Sequence, residues 1–210
     1  NDYTPKDGLD KLLLNRRMIF VAAASPDGHG NEKTNQNEAC IVAAALKRIY
    51  SITKSYFDAD RTVGVIVPYR NQIAMIRKEI SKLGIPDLLN ISIDTVERYQ
   101  GSQRDVIIYS FTIHNFSQLN FLTANTFREE EFIIDRKLNV AITRARKQLI
   151  LTGNPDVLTA NITFYKLMEY IRQENGFVDI PVNLFCSGDF EISDLSPAWD
   201  IRIDNYALPH

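Results

Sequence analysis

The segment 135–149, DRKLNVAITRARKQL, places several basic side chains on one side of a predicted helix. Its apolar residues recur at helical spacing and form the stripe that we expect to be buried: Leu138, Ile142, Ala145 and Leu149. Arg144 lies roughly 130° from the centre of that stripe. Guanidinium groups suit two-point contact with phosphate oxygens, so this face could bind a phosphate group. By helix pattern alone, a solvated basic face with surface ion pairs is the more common arrangement.

The segment 94–105, DTVERYQGSQRD, joins two predicted strands through a polar turn. Gly101 would allow a ligand to approach the backbone closely, and neighbouring N–H groups can face an anion. Gln100 and Gln103 add uncharged donors and acceptors. By itself this pattern is more often a simple turn between strands than a phosphate site.

The segment 65–72, VIVPYRNQ, ends a predicted strand and begins a helix. Tyr69 could stack on a nucleobase, and Arg70 could reach a phosphate. The competing interpretation is a helix start beside a proline, with the Tyr69 ring packed against it. The residue pattern leaves both interpretations open.

Short apolar runs alternate with helical patterns along the chain. The predicted strands are 18–24, 63–67, 91–93, 106–111 and 149–151, and the predicted helices are 38–50, 73–83, 135–147 and 164–173. Apolar strands separated by helices indicate a parallel sheet covered on both faces, which is a three-layer α/β core. Such sheets bind ligands beyond the carboxyl ends of their strands. We therefore expect the site in the loops 25–37, 68–72, 95–104 and 112–135, with 113–128 as a surface excursion.

Charge is unevenly distributed over the 210 residues, whose formal net charge is −2. Residues 177–210 hold six acids and one base, so the preceding part of the chain is mildly basic. This composition excludes a compact, strongly basic nucleic-acid binder, but it does not exclude a local basic groove. We expect residues 1–176 to form the main domain and residues 177–210 an acidic extension. Aromatic residues of the extension could dock on the core or mediate self-association with a second copy.

Several other kinds of protein are disfavoured by what the chain lacks. Cys40 and Cys186 have no spacing typical of a zinc site or a disulfide framework, so we expect no metal site and reduced thiols in a cytoplasmic protein. No apolar run approaches the ~18 residues of a membrane span. Neither GxxxxGK[ST] nor GxGxxG occurs, so the chain shows no P-loop of its own and no dinucleotide-binding fingerprint.

Taken together, the three segments resemble the second RecA-like domain of superfamily 1 helicases, in the senataxin and nonsense-mediated-decay branch. In family order, VGVIVPYRNQ resembles motif IV, ISIDTVERYQGSQRDVIIYSFT resembles motif V, and EFIIDRKLNVAITRARKQLILTGNP resembles motif VI. The upstream stretch TNQNEACIVAAAL resembles the segment that such proteins have before motif IV. The resemblance spans about residues 18–155 and implies a RecA-like, P-loop-NTPase-like fold.

The resemblance implies roles for individual residues toward ATP. Arg144, in the TRAR of motif VI, matches the arginine finger that stabilises charge on the γ-phosphate during hydrolysis. Gly101, with Gln100, matches the part of motif V near the γ-phosphate. Tyr69 matches the aromatic residue that packs near the adenine, and Arg70 matches a phosphate contact.

The resemblance also implies a nucleic-acid contact and shows one departure. Thr95 and Val96, followed by Arg98, match the start of motif V, where the family touches the nucleic-acid backbone. Gln103 stands where the family commonly has glutamate, so it keeps hydrogen bonding at the nucleotide site but lacks the charge.

We therefore expect the C-terminal motor domain of an ATP-dependent DNA or RNA helicase. ATP and Mg would be held mainly by the first RecA-like domain of the same polypeptide, which has no counterpart here, so this part alone should be inactive as an ATPase. The other partner would be single-stranded DNA or RNA. The alternative is a stand-alone nucleic-acid-binding or scaffold module without ATPase activity. A Rossmann-like enzyme domain is supported by fold analogy alone.

Overall fold

The structure, a computed structural model, describes residues 3–23, 33–99, 103–124, 126–129 and 132–195, and of residues 126–129, 132–136 and 194 it describes the backbone alone. Its strands are β1 (Met18–Ala22), β2 (Val63–Val67), β3 (Ser92–Thr95), β4 (Arg104–Ser110), β5 (Thr126–Glu129), β6 (Phe132–Asp135), β7 (Ala145–Gly153) and β8 (Phe177–Val178). Its helices are α1 (Gly8–Asn15), α2 (Gln36–Thr53), α3 (Arg70–Ser81), α4 (Pro86–Leu89), α5 (Phe116–Thr123), α6 (Arg136–Arg144), α7 (Pro155–Leu158), α8 (Ile162–Gln173) and α9 (Val182–Ser187).

Six of the described strands form one parallel sheet in the order β3-β2-β4-β7-β1-β8. The strands β5 and β6 pair separately as an antiparallel hairpin. The predicted three-layer α/β architecture is confirmed, because successive residues of the central strands belong to cores on opposite faces of the sheet. Val65 and Ile108 pack in the core beneath α1, α2 and α3. Ile66 and Tyr109 pack in the core beneath α5, α6 and α8.

The predicted helix over residues 135–147 is wrong at its C-terminal end. The helix α6 ends at Arg144, and β7 begins at Ala145, opposite Arg104 of β4. The backbone of this segment pairs with β4 as a strand, and this pairing overrides its helical spacing. The predicted buried stripe is wrong at Ile142, which is 41% exposed, whereas Leu138 and Leu149 are buried as predicted. Leu138 and Ala141 are the apolar residues of α6 that are buried.

The surface excursion predicted at 113–128 contains secondary structure that the sequence pattern did not reveal. It includes α5, whose N-terminal cap is Asn115, and β5 of the hairpin. Leu119 and Leu122 of α5 are buried, whereas Phe116 and Phe121 are exposed. The excursion is therefore anchored on the core by one side of a short helix.

The described part of the predicted acidic extension packs on the main core. β8 pairs in parallel with β1, and the rings of Phe20 and Phe177 stack 5.3 Å apart. Gly176 makes this approach possible, because a Cβ there would lie 2.1 Å from the carbonyl oxygen of Met18. Through residue 195, the chain after residue 176 thus belongs to the same structural unit, and self-association through it stays a prediction.

Replacing Phe185 of α9 with alanine should destabilise the whole domain. The side chain is buried in the core formed with α1 and α2, so its loss should lower the free energy of unfolding by about 3 kcal/mol. Urea unfolding followed by circular dichroism measures this change. The matched control is Leu184→Ala on the same helix, at an exposed position, which should cost under ~1 kcal/mol. Equal effects of the two substitutions would contradict the packing of α9.

Candidate functional site

The ends of β2 and β3 bring two of the sequence-predicted segments together. These strands pair in parallel, so Val67 lies beside Thr95 and the chain leaves both strands at the same edge of the sheet. Tyr69, Arg70 and Arg98 line one cavity of about 610 Å³ at this edge, together with Thr95. Residues predicted to contact ATP and residues predicted to contact nucleic acid therefore share one surface.

Tyr69 forms one wall of this cavity and precedes α3. Its ring is 9% exposed and stacks on Phe121 of α5, with 5.9 Å between ring centroids and 15° between their planes. The Lys33 ammonium lies 5.8 Å from the Tyr69 ring, and burial raises the pKa of the Tyr69 hydroxyl. The two interpretations of Tyr69 are thus compatible, because the ring packs at a helix start and also borders a cavity.

Positive charge collects at the cavity. Arg70 and Arg98 are exposed, and neither has an ion-pair partner within the described ranges. Lys137 lies with its ammonium 3.6 Å from a carboxylate oxygen of Glu97. Three cations, Lys33, Arg70 and Arg98, thus line the cavity with one carboxylate, that of Glu97, which favours an anionic ligand.

The start of motif V is a tight turn whose side chains are mostly unavailable to a ligand. Thr95 and Val96 are buried, and the Thr95 carbonyl accepts hydrogen bonds from the backbone N–H groups of Arg98 and Tyr99. A nucleic-acid contact by Val96 would therefore use its main chain. Glu97 and Arg98 are the exposed side chains of this turn.

Tyr99 anchors the same turn by crossing over Gly64 in the middle of β2. A Cβ at Gly64 would lie 1.6 Å from the Tyr99 hydroxyl oxygen. Only glycine leaves room for the ring at this point in the strand. The sequence pattern did not reveal this pair, although a glycine inside the apolar run VGVIV is a signal of close approach.

Gln103 and the end of α6 are in contact. The Gln103 amide donates to the Thr143 carbonyl at 3.4 Å, and Arg146 Nε donates to Gln103 Oε1 at 3.4 Å. Gln103 therefore connects motif V to motif VI, and Arg146 acts as a partner within the domain. Gln100 and Gly101, the other predicted nucleotide contacts of motif V, lie outside the described residues.

Arg144 is the last residue of α6 and is half-buried. Its Nε atom is buried and finds no hydrogen-bond partner among the residues that the structure describes. A buried donor without a partner costs about 1–3 kcal/mol. The end of α6 therefore carries a buried polar group that no described residue compensates.

A buried polar network behind the cavity was not recognised from the sequence. The Gln72 side chain pairs with the Asn35 backbone, accepting from its N–H at 2.8 Å and donating to its carbonyl at 3.0 Å. Ser110 donates to the Glu38 carboxyl group at 2.6 Å, and the Thr112 N–H donates to it at 2.9 Å. Burial raises the pKa of Glu38 to about 8, although these two hydrogen bonds oppose the shift.

This network joins the start of α2, the start of α3 and the end of β4, and of these the start of α3 lines the cavity. Thr112 has a φ of 52°, a left-handed conformation that costs free energy in a β-branched residue. Its N–H nevertheless points at Glu38, so the network compensates for this backbone strain. The clue in the sequence was the stretch TNQNEA, which places Asn35 as the N-cap of α2 and Glu38 in its first turn.

Comparison with known proteins assigns the family. Residues 12–156 match the family model described as AAA domain, which covers more than half of the chain. The chain belongs to this AAA domain family. The match includes the turns bearing Tyr69 and Thr95 and the whole of α6.

Curated relatives of this AAA domain are helicases. The chain is 27% identical over 192 residues to "Probable RNA helicase armi" of Drosophila melanogaster, covering 84% of this chain and 16% of that protein. It is 36% identical over 128 residues to DNA polymerase alpha-associated DNA helicase A of Saccharomyces cerevisiae, covering 60% and 16%. It is 32% identical over 139 residues to DNA replication ATP-dependent helicase/nuclease DNA2 of Xenopus laevis, covering 64% and 12%.

The AAA domain is therefore a superfamily 1 helicase-like domain, and it spans about one sixth or less of the length of these relatives. Within the described ranges, it contains no cluster of three or more histidine, cysteine or acidic residues that could hold a metal ion. Nor does any described helix have the length and apolar character needed to cross a membrane.

Proposed function

We propose that this AAA domain is the second, C-terminal RecA-like motor domain of an ATP-dependent DNA or RNA helicase. The observation that supports this most directly is the shared cavity, which places Tyr69 and Arg70 of motif IV beside Thr95 and Arg98 of motif V. A motor domain must couple nucleotide binding to binding of the nucleic-acid strand. Adjacent turns at one sheet edge provide the shortest physical connection between the two.

Residues of this chain would bind one side of the nucleotide. Tyr69 would contact the base, Arg70 the phosphates, and Arg144 the charge that develops on the γ-phosphate, with Gln100 and Gly101 of motif V alongside. The state of Arg144 supports this assignment, because the side chain is half-buried and its buried Nε has no hydrogen-bond partner among the described residues, so no described acceptor holds that donor. Bound ATP with Mg supplies the phosphoryl group that is transferred to water.

Mg would be held mainly by the first RecA-like domain of the same polypeptide, since the described residues offer no cluster of acidic ligands. The exposed Ile142 lies on α6 two residues before Arg144, where that domain would close over the nucleotide. Closure of two domains would bring the finger to the phosphate. The chain by itself would bind ligands without hydrolysing ATP at a useful rate.

Single-stranded nucleic acid would contact the turn after β3. The exposed Arg98 side chain would neutralise a phosphate, and the main chain at Thr95 and Val96 would set the path of the backbone. None of these contacts distinguishes DNA from RNA. The names of the relatives include both DNA and RNA helicases, so both substrates belong in the test.

The 210-residue chain should bind fluorescently labelled single-stranded DNA or RNA in an anisotropy titration at low salt. Arg98→Ala should weaken this binding several-fold and reduce the slope of log affinity against log salt by about 1, because one phosphate contact is lost. The control is Arg61→Ala, since Arg61 is an exposed arginine at the opposite edge of the sheet, ahead of β2. Absence of binding to either strand at ~50 mM salt would contradict the proposed function.

A further inference from the structure

We propose that Phe121 of α5 and Tyr69 form an aromatic clamp that holds a nucleobase at the mouth of the cavity. The proposal rests on the proposed function, because it concerns the nucleotide bound at that same site. It adds a residue from a segment, 113–128, that matches none of the three helicase motifs.

The geometry of the two rings suits a clamp in which the Tyr69 ring is fixed and the Phe121 ring can move. Tyr69 is held at 9% exposure, whereas Phe121 is 56% exposed on a short surface helix. The rings are already nearly parallel, with 15° between their planes and 5.9 Å between their centroids. A base between two rings needs about 7 Å, twice the carbon–carbon contact distance of ~3.5 Å. The Phe121 ring must therefore move away from the Tyr69 ring to admit a base, and its exposed position on a short surface helix gives it room to do so.

The charges around the rings select a nucleotide rather than a neutral aromatic ligand. The Lys137 ammonium lies 4.6 Å from the Phe121 ring, and the Lys33 ammonium lies 5.8 Å from the Tyr69 ring. Arg70 and Arg98 add two exposed guanidinium groups to the same cavity. A ligand with an aromatic base and attached phosphates satisfies both the rings and the cations.

The base can come from a free nucleotide or from one unit of a single strand, because the cavity borders both Tyr69 and Thr95. Stacking recognises the π-face that all bases share, so the clamp should show little base preference. The chemistry is the same for both sources, and binding measurements with separate probes distinguish them.

The test compares Phe121→Ala with Phe116→Ala in the 210-residue chain. Phe116 is a matched control because it lies on the same helix, is 59% exposed and does not line the cavity. One titration uses ATP with a fluorescent ribose label, and the other uses a labelled single-stranded oligonucleotide. Phe121→Ala should weaken binding of at least one probe about fivefold to hundredfold, the usual effect of losing one stacked base. Phe121→Trp should retain binding, and Phe116→Ala should change neither probe.

Each result has a definite meaning. Weaker binding of labelled ATP alone assigns the clamp to the free nucleotide, and weaker binding of the oligonucleotide alone assigns it to the strand. Wild-type binding of both probes by Phe121→Ala overturns the clamp while leaving the proposed function intact. Failure of the wild-type chain to bind either probe overturns the clamp and the proposed function together.

Discussion

Replacing Arg144 with alanine, in a polypeptide that contains both RecA-like domains, is expected to lower strand-stimulated ATP hydrolysis by about 10³-fold or more. Binding of ATP should stay nearly unchanged. The half-buried side chain at the end of α6 has a donor without a partner in the described structure, so its proposed acceptor is the charge that develops during phosphoryl transfer. An interaction made mainly in the transition state affects kcat rather than nucleotide affinity.

Steady-state turnover and equilibrium binding of labelled ATP measure the two quantities separately. Arg144→Lys should also be strongly impaired, because an ammonium group keeps the charge but lacks the planar fork of donors. Arg61→Ala, at the opposite edge of the sheet, should hydrolyse ATP normally. Arg146→Ala should lose less activity than Arg144→Ala, since Arg146 contacts Gln103 within the domain. Turnover of Arg144→Ala within about twofold of wild type would refute the assignment of the arginine finger.

Glu38→Gln is expected to stabilise the domain at alkaline pH by up to about 5 kcal/mol relative to wild type. Burial raises the pKa of the Glu38 carboxyl from 4.5 to about 8, so the folded state retains a proton that the unfolded state has released. Glutamine has nearly the same shape and can accept the same hydrogen bonds from Ser110 and Thr112, but it never acquires a charge.

The direction of the pH dependence follows from this raised pKa. Below pH 4.5 both states of wild type are protonated at Glu38, so the residue has no cost. Between pH 4.5 and about 8 the stability of wild type should fall by about 1.4 kcal/mol per pH unit from this group, and above pH 8 the loss is complete. The difference between Glu38→Gln and wild type should therefore grow over this range and then level off.

Urea unfolding at intervals from pH 5 to pH 9 measures this difference directly. Glu79→Gln provides a control of opposite sign. The hydrogen bond from Lys82 lowers the pKa of Glu79, so its carboxylate stabilises the fold above its unfolded pKa and loses that effect as the pH falls. Removing the Glu79 carboxylate should lower the free energy of unfolding at neutral pH. It should not change the slope of that free energy against pH in the alkaline range. A constant difference between Glu38→Gln and wild type across the range would contradict a protonated, buried Glu38.

Much of the sheet could be predicted because its strands are apolar on both faces. The run Val63–Val67 and the core of β4 are buried in the structure as expected, since a parallel sheet covered by helices offers these residues no solvent. The loops after β2 and β3 were likewise correctly placed at the carboxyl ends of parallel strands. A parallel sheet puts the carboxyl ends of its strands on one side, and the observed pairing of β2 with β3 makes these two loops neighbours.

Prediction failed where long-range pairing competes with a local pattern. Helical spacing continues past Arg144, yet residues 145–148 pair with β4 as a strand. The contact between Gly64 and Tyr99 was not predicted for the same reason. The two residues are far apart in the chain and meet only because the turn after β3 folds over β2. The hydrogen-bond network around Glu38 was not predicted for this reason too, because its bonds join residues up to 74 positions apart.

Residue types and their order by themselves determined the α/β class of this domain, its helicase-like motifs and the cations available to a phosphate. These features depend on local periodicity and on the chemistry of single side chains. Only the tertiary structure decided that Phe121 stacks on Tyr69, that Arg144 ends its helix with a buried donor lacking a partner among the described residues, and that the start of the acidic segment completes the sheet. Each of these depends on packing between segments distant in the chain, because a side chain's burial and partners are set by the neighbours that folding brings to it.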